Sequence, residues 1–223
     1  MTKIEEFEKK LISEGISEAD YSEYEKLLKK AGDNSLRLQH CYITAIKFPR
    51  ERCGEAVALI EWGLERFPDT WFPTFTAYQY IGNIYEKSGD YRSAFDAYKK
   101  AAGILEKEKN IGQLRVLSGD LLWTLLHIDN FTYSKELEEY YELFNGISDF
   151  AKSFVNNEFR LAVAEAVICS YHNDKEKAAA AYEKAVEISK TGRASMKNDA
   201  LNMHKVKDTL KITPECSSFL KQK

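Results

Sequence analysis

The stretch YQYIGNIYEKSGDYRSAFDAYKKA, residues 78–101, decides the fold of this 223-residue chain. Its apolar residues recur at three- and four-residue intervals on both sides of Gly89 and Asp90, which predicts two helices joined by a turn. Gly82 and Ala94 are small enough to let antiparallel helices approach closely. The space on either side of this close approach is filled by the aromatic residues Tyr78, Tyr85 and Tyr98.

This pattern resembles a tetratricopeptide (TPR) repeat. The residues at the spacings of that family are Tyr78, Ile81, Gly82, Tyr85, Ala94, Tyr98 and Ala101. The proline that usually follows the second helix is missing, and Glu106 stands in its place. The resemblance implies an all-α fold, a right-handed superhelical stack of antiparallel helix pairs in a TPR-like solenoid, with a concave groove that binds a protein or peptide.

Weaker copies of the unit precede and follow this stretch. One copy before it has a first helix with Leu38, Cys41, Tyr42 and Ala45 and a second helix with Ala56, Ile60, Gly63 and Pro68. A divergent copy after it has Leu114, Leu117, Leu121 and Leu125, then Leu137, Tyr141 and Phe144. A last copy has Ala162, Ala166 and Cys169, then Ala178, Tyr182 and Ala185.

The copies are longer than a standard TPR repeat. The markers Ala56, Ala94, Leu137 and Ala178 are 38, 43 and 41 positions apart, against about 34 for the typical repeat. We therefore expect longer helices or turns. The predicted organisation is an N-terminal capping helical hairpin over residues 1–33, TPR-like repeats over 34–190, and a C-terminal capping helix and tail over 191–223, in one continuous domain.

Composition and charge exclude several classes of function. The 32 basic and 35 acidic residues give a formal charge of -3 with no long block of one sign, which argues against a duplex nucleic-acid partner. The N-terminus has acidic residues where a secretory signal would be apolar, and no window approaches ~18 uninterrupted apolar residues. We therefore predict a cytoplasmic protein without a membrane partner. The four cysteines lack zinc-site spacing and are expected to be buried apolar residues.

Motifs for a reaction are missing from the sequence. There is no glycine-rich phosphate loop, no nucleophile elbow and no H-E-x-x-H pair, and the four histidines are isolated. We predict no catalytic residue, no metal and no cofactor. The alternative from another class is an enzyme whose site is assembled across repeats from His127 or His172 with nearby carboxylates.

The groove that the resemblance implies would be lined by residues of each first helix that packing does not use. These are Gln39, Ile43, Thr76, Gln79, Asn83, Glu86, Lys87, Arg160, Val163, Val167 and Tyr171. Amides, both charges and an aromatic ring suit a protein or peptide better than a phosphate backbone. The alternative for each of these residues is an exposed position without a role in binding. The basic clamp by which some TPR proteins grip chaperone tails is disfavoured, because only Asn83 matches it.

These observations predict a non-catalytic protein-interaction module. Its role would be that of a sequestering inhibitor, for example an immunity protein that neutralises a toxin, or of an adaptor. Binding of single-stranded RNA is the third hypothesis, and a homodimer stays open. Trp71 and Phe72, beside Pro73 at the start of a predicted helix, either staple the junction between repeats or anchor a partner, and we favour the staple.

Overall fold

The computed structural model describes residues 2–68, 71–152 and 154–190, and this part of the chain contains helices and no strand. The predicted all-α, TPR-like repeat fold is confirmed. The chain divides into two compact units, Met1–Asn110 (unit 1) and Ile111–Lys223 (unit 2). The predicted boundary at residue 34 falls inside unit 1. The predicted capping helix and tail of residues 191–223 lie outside the described residues.

Unit 1 consists of three consecutive helix pairs. Its helices are α1 (Lys3–Glu14), α2 (Glu18–Leu28), α3 (Asn34–Ala45), α4 (Cys53–Arg66), α5 (Trp71–Ser88) and α6 (Tyr91–Lys107). Each odd-numbered helix packs against the helix that follows it, and α3 also contacts α1 and α5. A 3₁₀ turn, Arg50–Arg52, lengthens the connection between α3 and α4, as the spacing of the weaker copy predicted.

The pair α5/α6 closes on a glycine. A Cβ atom at Gly82 would overlap the ring of Tyr98, so only glycine fits the distance between the two helices. Tyr98, Ala94 and Ala101 are fully buried. The chain turns into α6 through Gly89, whose φ of 88° is one that residues with a side chain rarely adopt. The central helix pair predicted from residues 78–101 is therefore confirmed.

The pair α3/α4 closes in the same way on different residues. A Cβ atom at Gly63 would lie 2.9 Å from Cys41 Sγ. Cys41 is fully buried, and burial raises the pKa of its thiol. Cys41 is thus a small core residue, as predicted, whereas Cys53 and Cys169 are only partly buried and Cys216 lies outside the described residues.

The hairpin α1/α2 is tied to this first repeat by Arg52 and Glu55. The Arg52 guanidinium donates hydrogen bonds to the carbonyls of Leu11 (3.0 Å) and Ile12 (2.7 Å) at the end of α1. Glu55 accepts a hydrogen bond from the backbone N–H of Ile16 at 3.1 Å and pairs with Arg52 at 2.7 Å. The start of α4 therefore holds the C-terminal end of α1 in place.

Unit 2 is built from the helices α7 (Ile111–Ile128), α8 (Lys135–Asn145), α9 (Asp149–Lys152), α10 (Val155–Tyr171) and α11 (Lys175–Lys190). The pairs are α7/α8 and α10/α11, and α10 also packs against α7 and α8. A Cβ atom at Gly119 would lie 2.6 Å from the ring of Phe144, so α7 and α8 also meet at a glycine. Residues 121–126 of α7 are all buried, which is typical of a helix covered on every side.

Candidate functional site

One side of α5 carries five of the eleven predicted binding residues. We call this set the α5 stripe: Thr76, Gln79, Asn83, Glu86 and Lys87. All five are at least partly exposed. Their successive intervals are three, four, three and one, which keeps all five on one side of a helix. Ala77, Ile81 and Ile84 belong to the buried core of unit 1.

The α5 stripe is fixed from below by a buried tyrosine. The Tyr98 hydroxyl lies 2.8 Å from both Asn83 Oδ1 and Glu86 Oε2, although the residue as a whole is fully buried. Its ring packs against Gly82. The glycine contact that closes the helix pair thus places a buried phenol beneath the α5 stripe, within hydrogen-bond distance of an amide and a carboxylate.

The neighbouring helix α3 and its C-cap residue Ile46 form a more apolar counterpart, which we call the α3 stripe: Leu36, Gln39, Ile43 and Ile46. The sequence predicted Gln39, which is exposed, and Ile43, which is partly buried. It missed Leu36 and Ile46, which expose 39% and 37% of their surface. The four residues of the α3 stripe have intervals of three, four and three, the same as those of the first four residues of the α5 stripe. A search of the sequence for this spacing would have found Leu36 and Ile46.

The two stripes belong to adjacent helices. The rings of Tyr42 in α3 and Tyr80 in α5 stack with centroids 4.9 Å apart and planes at 17°, and α4 packs against both helices. The surface of unit 1 therefore has one largely apolar strip beside one polar strip.

The predicted residues in unit 2 are less available. Val163 and Val167 expose only 1% and 2% of their surface, because α10 packs against α7, α8 and α11. The sequence predicts an open face for both valines, whereas the structure buries them in unit 2. Arg160 forms an ion pair with Asp120 at 2.6 Å. Tyr171 exposes 63% of its surface.

The two histidines of the enzyme alternative lie in different environments. His127 is partly buried between aromatic rings, with Nδ1 2.9 Å from the carbonyl of Trp123, and desolvation lowers its pKa to about 4. It is neutral near pH 7. His172 is exposed, with Nε2 3.4 Å from Glu138 Oε1. Neither environment adds support to the enzyme alternative.

Unit 1 contains a buried polar cluster that we did not predict from the sequence. Glu8 Oε1 accepts a hydrogen bond from the Tyr24 hydroxyl at 2.8 Å and lies 2.7 Å from His40 Nδ1, and the same hydroxyl lies 3.4 Å from Thr44 Oγ1. Burial raises the pKa of Glu8, but hydrogen bonds to His40 and Tyr24 outweigh it and leave the pKa below its usual value. The cluster links α1, α2 and α3 through residues 16 and 32 positions from Glu8, a separation at which no local pattern gives a signal.

The aromatic residues at the start of α5 form a small cluster. Trp71 and Phe72 meet edge to face at 5.5 Å, and Phe72, half exposed, lies 6.3 Å from Phe75. The sequence predicts Pro73 at the first position of the helix, but α5 begins at Trp71 and Pro73 is its third residue. The first turn of a helix still tolerates proline. Whether these rings staple a junction or anchor a partner stays a prediction.

The described ranges also bear on two other kinds of site, a metal centre and a membrane span. Among those residues no group of three or more His, Cys, Asp and Glu side chains gathers closely enough to hold a metal ion. None of the helices that the structure describes is long and apolar enough to cross a bilayer.

Comparison with protein families gives two matches to the tetratricopeptide repeat, at residues 75–104 and 160–191. The first match covers most of α5 and α6, and the second covers most of α10 together with α11. No curated protein matches the chain. Repeats of this family generally mediate protein–protein interaction and are typically not catalytic.

Proposed function

Because the chain is a TPR-like helical repeat protein, we propose that unit 1 binds an extended segment of a partner protein across the α3 and α5 stripes. The observation that carries the proposal is the orientation of the α5 stripe by the Tyr98 hydroxyl, 2.8 Å from Asn83 and from Glu86. A polar surface whose side chains are already ordered loses less entropy when a partner binds.

The α5 stripe suits the main chain of a peptide. Gln79 and Asn83 are one helical turn apart, and each amide offers both a donor and an acceptor. A peptide backbone presents the complementary N–H and C=O groups at regular intervals. The Asn83 amide, oriented by Tyr98, and the Gln79 amide one turn away can therefore hold an extended segment without reading its side chains.

The α3 stripe supplies apolar contact beside these amides. Leu36, Ile43 and Ile46 are partly exposed aliphatic side chains spread over a length of about 15 Å at 1.5 Å per residue. That length matches about five residues of extended chain. The partner segment should therefore present apolar side chains on the side that faces α3.

The finer role that we propose is a cytosolic one without chemistry of its own. Holding a segment of another protein suits a sequestering inhibitor, such as an immunity protein that neutralises a toxin, or an adaptor. The mixed charge of the α5 stripe, with Glu86 beside Lys87, supports a protein partner over a nucleic-acid backbone.

Site-specific photocrosslinking in the cells from which the chain derives tests this proposal. A photoreactive amino acid replaces Gln39 or Gln79 on the stripes, and Asp96, an exposed residue of α6, serves as the matched control. We expect one and the same protein to be captured from both stripe positions and not from Asp96. Capture that is as strong from Asp96, or different proteins from the two glutamines, would overturn the proposal.

A binding measurement on the captured partner then tests the residues. Asn83→Ala removes the ordered amide and Ile43→Asp places a charge on the apolar strip, and each should weaken binding about ten-fold or more. Asp96→Ala should leave the affinity unchanged. Equal affinities for all three variants would place the binding surface elsewhere.

A further inference from the structure

Unit 2 presents an exposed pair of stacked tyrosines. The rings of Tyr133, in the connection before α8, and Tyr171, at the end of α10, lie 3.7 Å apart with planes at 8°. One face of Tyr171 is covered by Tyr133, yet the residue exposes 63% of its surface. The opposite face of the Tyr171 ring is therefore open to solvent.

The stack is held by a carboxylate and an imidazole. The Tyr133 hydroxyl donates a hydrogen bond to Glu138 Oε2 at 2.7 Å, and His172 Nε2 lies 3.4 Å from Glu138 Oε1. The imidazole meets both tyrosine rings edge-on, at 5.5 Å and 5.3 Å. We call these four residues the Tyr171 platform: Tyr133, Glu138, Tyr171 and His172.

The α8 side of the platform is rich in acidic residues. Residues 129–142 contain the acidic side chains of Asp129, Glu136, Glu138, Glu139 and Glu142 but only one basic side chain, Lys135. An open depression of about 470 Å³ runs along α8 from Glu138, lined by Lys135, Glu139, Glu142 and Leu143. A ligand that stacks on Tyr171 and extends along α8 meets carboxylates.

We propose that the Tyr171 platform binds the guanidinium group of an arginine in a basic segment of a partner protein, stacked on the open face of Tyr171, with the segment continuing along α8. This surface is distinct from the α3 and α5 stripes, and it is tested without them.

Arginine fits this surface better than other groups do. Its guanidinium is planar and weakly hydrated, so it stacks on an aromatic face while keeping its charge beside a carboxylate. A lysine ammonium is a compact, strongly hydrated ion and gains less from stacking. A nucleotide could stack on the ring, but its phosphates would be repelled by the acidic residues of α8.

Titration with short peptides tests the proposal. The probes are acetylated and amidated Gly-Arg-Gly-Arg-Gly and its counterpart with both arginines replaced by lysines, followed by NMR of tyrosine side chains in the full-length protein. We expect the arginine peptide to shift the Tyr171 ring signals and to bind at least three-fold more tightly than the lysine peptide. Added salt should weaken the binding.

Variants assign the effect to the platform. Tyr171→Ala should weaken binding of the arginine peptide about ten-fold, and Tyr171→Phe, which keeps the ring, should stay within two-fold of the wild type. Glu138→Gln keeps an acceptor for the Tyr133 hydroxyl but removes the charge, so it should weaken binding and flatten its salt dependence. Phe154→Ala, which truncates another exposed aromatic residue of unit 2, is the control and should bind as the wild type does.

Three results would overturn the proposal: no binding of the arginine peptide at millimolar concentration, equal binding of the two peptides, or unchanged binding by Tyr171→Ala. Sedimentation velocity of the wild type and of Tyr171→Ala tests whether a second copy of the chain binds the platform instead. A dimer that disappears in Tyr171→Ala would assign the platform to self-association and would also overturn it. None of these outcomes bears on crosslinking from the stripes of unit 1.

Discussion

The helix pairs α5/α6 and α7/α8 close on the same contact with different sequence spacing. In unit 1, Gly82 faces the ring of Tyr98, 16 positions later; in unit 2, Gly119 faces the ring of Phe144, 25 positions later. Of these two pairs, the family match covers α5/α6 and not α7/α8. The connection has six residues in α7/α8 against two in α5/α6, and the contact also lies farther from the connection along both helices. The same packing of a glycine against a ring therefore occurs without the sequence spacing of the family.

The strongest test of this comparison is Gly82→Ala. The added methyl group would overlap the ring of Tyr98, which is fully buried and held by its hydroxyl. We expect a loss of about 3 kcal/mol in the free energy of unfolding, at the upper end of the range for overpacking. Urea unfolding followed by circular dichroism measures it.

Gly103→Ala is the matched control in the same helix pair. Gly103 is a glycine of α6 with open space where a Cβ would stand. Alanine there should stabilise unit 1 by about 0.5–1 kcal/mol through helix propensity alone. If Gly82→Ala were equally stabilising, the close approach of α5 and α6 would be refuted.

The counterpart in unit 2 is Gly119→Ala. Its Cβ would lie 2.6 Å from the Phe144 ring, so we expect a loss of about 2 kcal/mol. The second substitution Phe144→Leu should recover part of that loss, because a smaller side chain leaves room for the methyl group. Hydrogen exchange of α7 and α8 reads the effect within unit 2, and additive effects of the two substitutions would contradict the contact.

Acid should destabilise unit 2 at a higher pH than unit 1. Because burial lowers the pKa of His127 from 6.5 to about 4, the unfolded chain binds a proton between these values that the folded chain does not. Stability of unit 2 is therefore lost as the pH falls from about 6.5 to about 4, by roughly 2 kcal/mol. His127→Gln should remove this slope from hydrogen exchange of α7. A slope that persists in the variant would assign it to another group.

In unit 1 the corresponding group is Glu8, and its effect is smaller and lies at lower pH. Its pKa is below 4.5, because hydrogen bonds to His40 and Tyr24 outweigh the opposing effect of burial. Its stabilisation is present above about 4.5 and is lost as the pH falls through the lower folded value. Glu8→Gln should destabilise unit 1 by about 1 kcal/mol at pH 7 and by less below pH 4. Exchange of α1 and α2 amides measures the difference, and a gap that widened in acid would contradict the prediction.

The sequence predicts features that depend on neighbouring turns of one helix pair. The α5/α6 pair and the exposed side of α5 follow from residues within one local pattern, in which spacing fixes the face of each side chain. The apolar stripes of the divergent copy were found for the same reason: Leu114, Leu117, Leu121 and Leu125 are all buried. Periodicity reports whether a helix has a buried face.

Periodicity does not report how many faces of a helix are buried. Val163 and Val167 occupy the positions in α10 that Gln79 and Asn83 occupy in α5, yet three helices cover α10. Their apolar character was the only available signal. Contacts between distant elements, such as Glu8 with His40, are set by tertiary packing and have no local signature.

The grip of Arg52 and Glu55 on the end of α1 has a practical consequence for cutting the chain. A shortened protein that starts after Gly15 would lose the carbonyls of Leu11 and Ile12, to which Arg52 donates, and would leave the guanidinium with its ion pair to Glu55. The hairpin α1/α2 and the pair α3/α4 should therefore be expressed in one fragment, and a chimera that uses repeats of this protein should keep residues 2–66 intact.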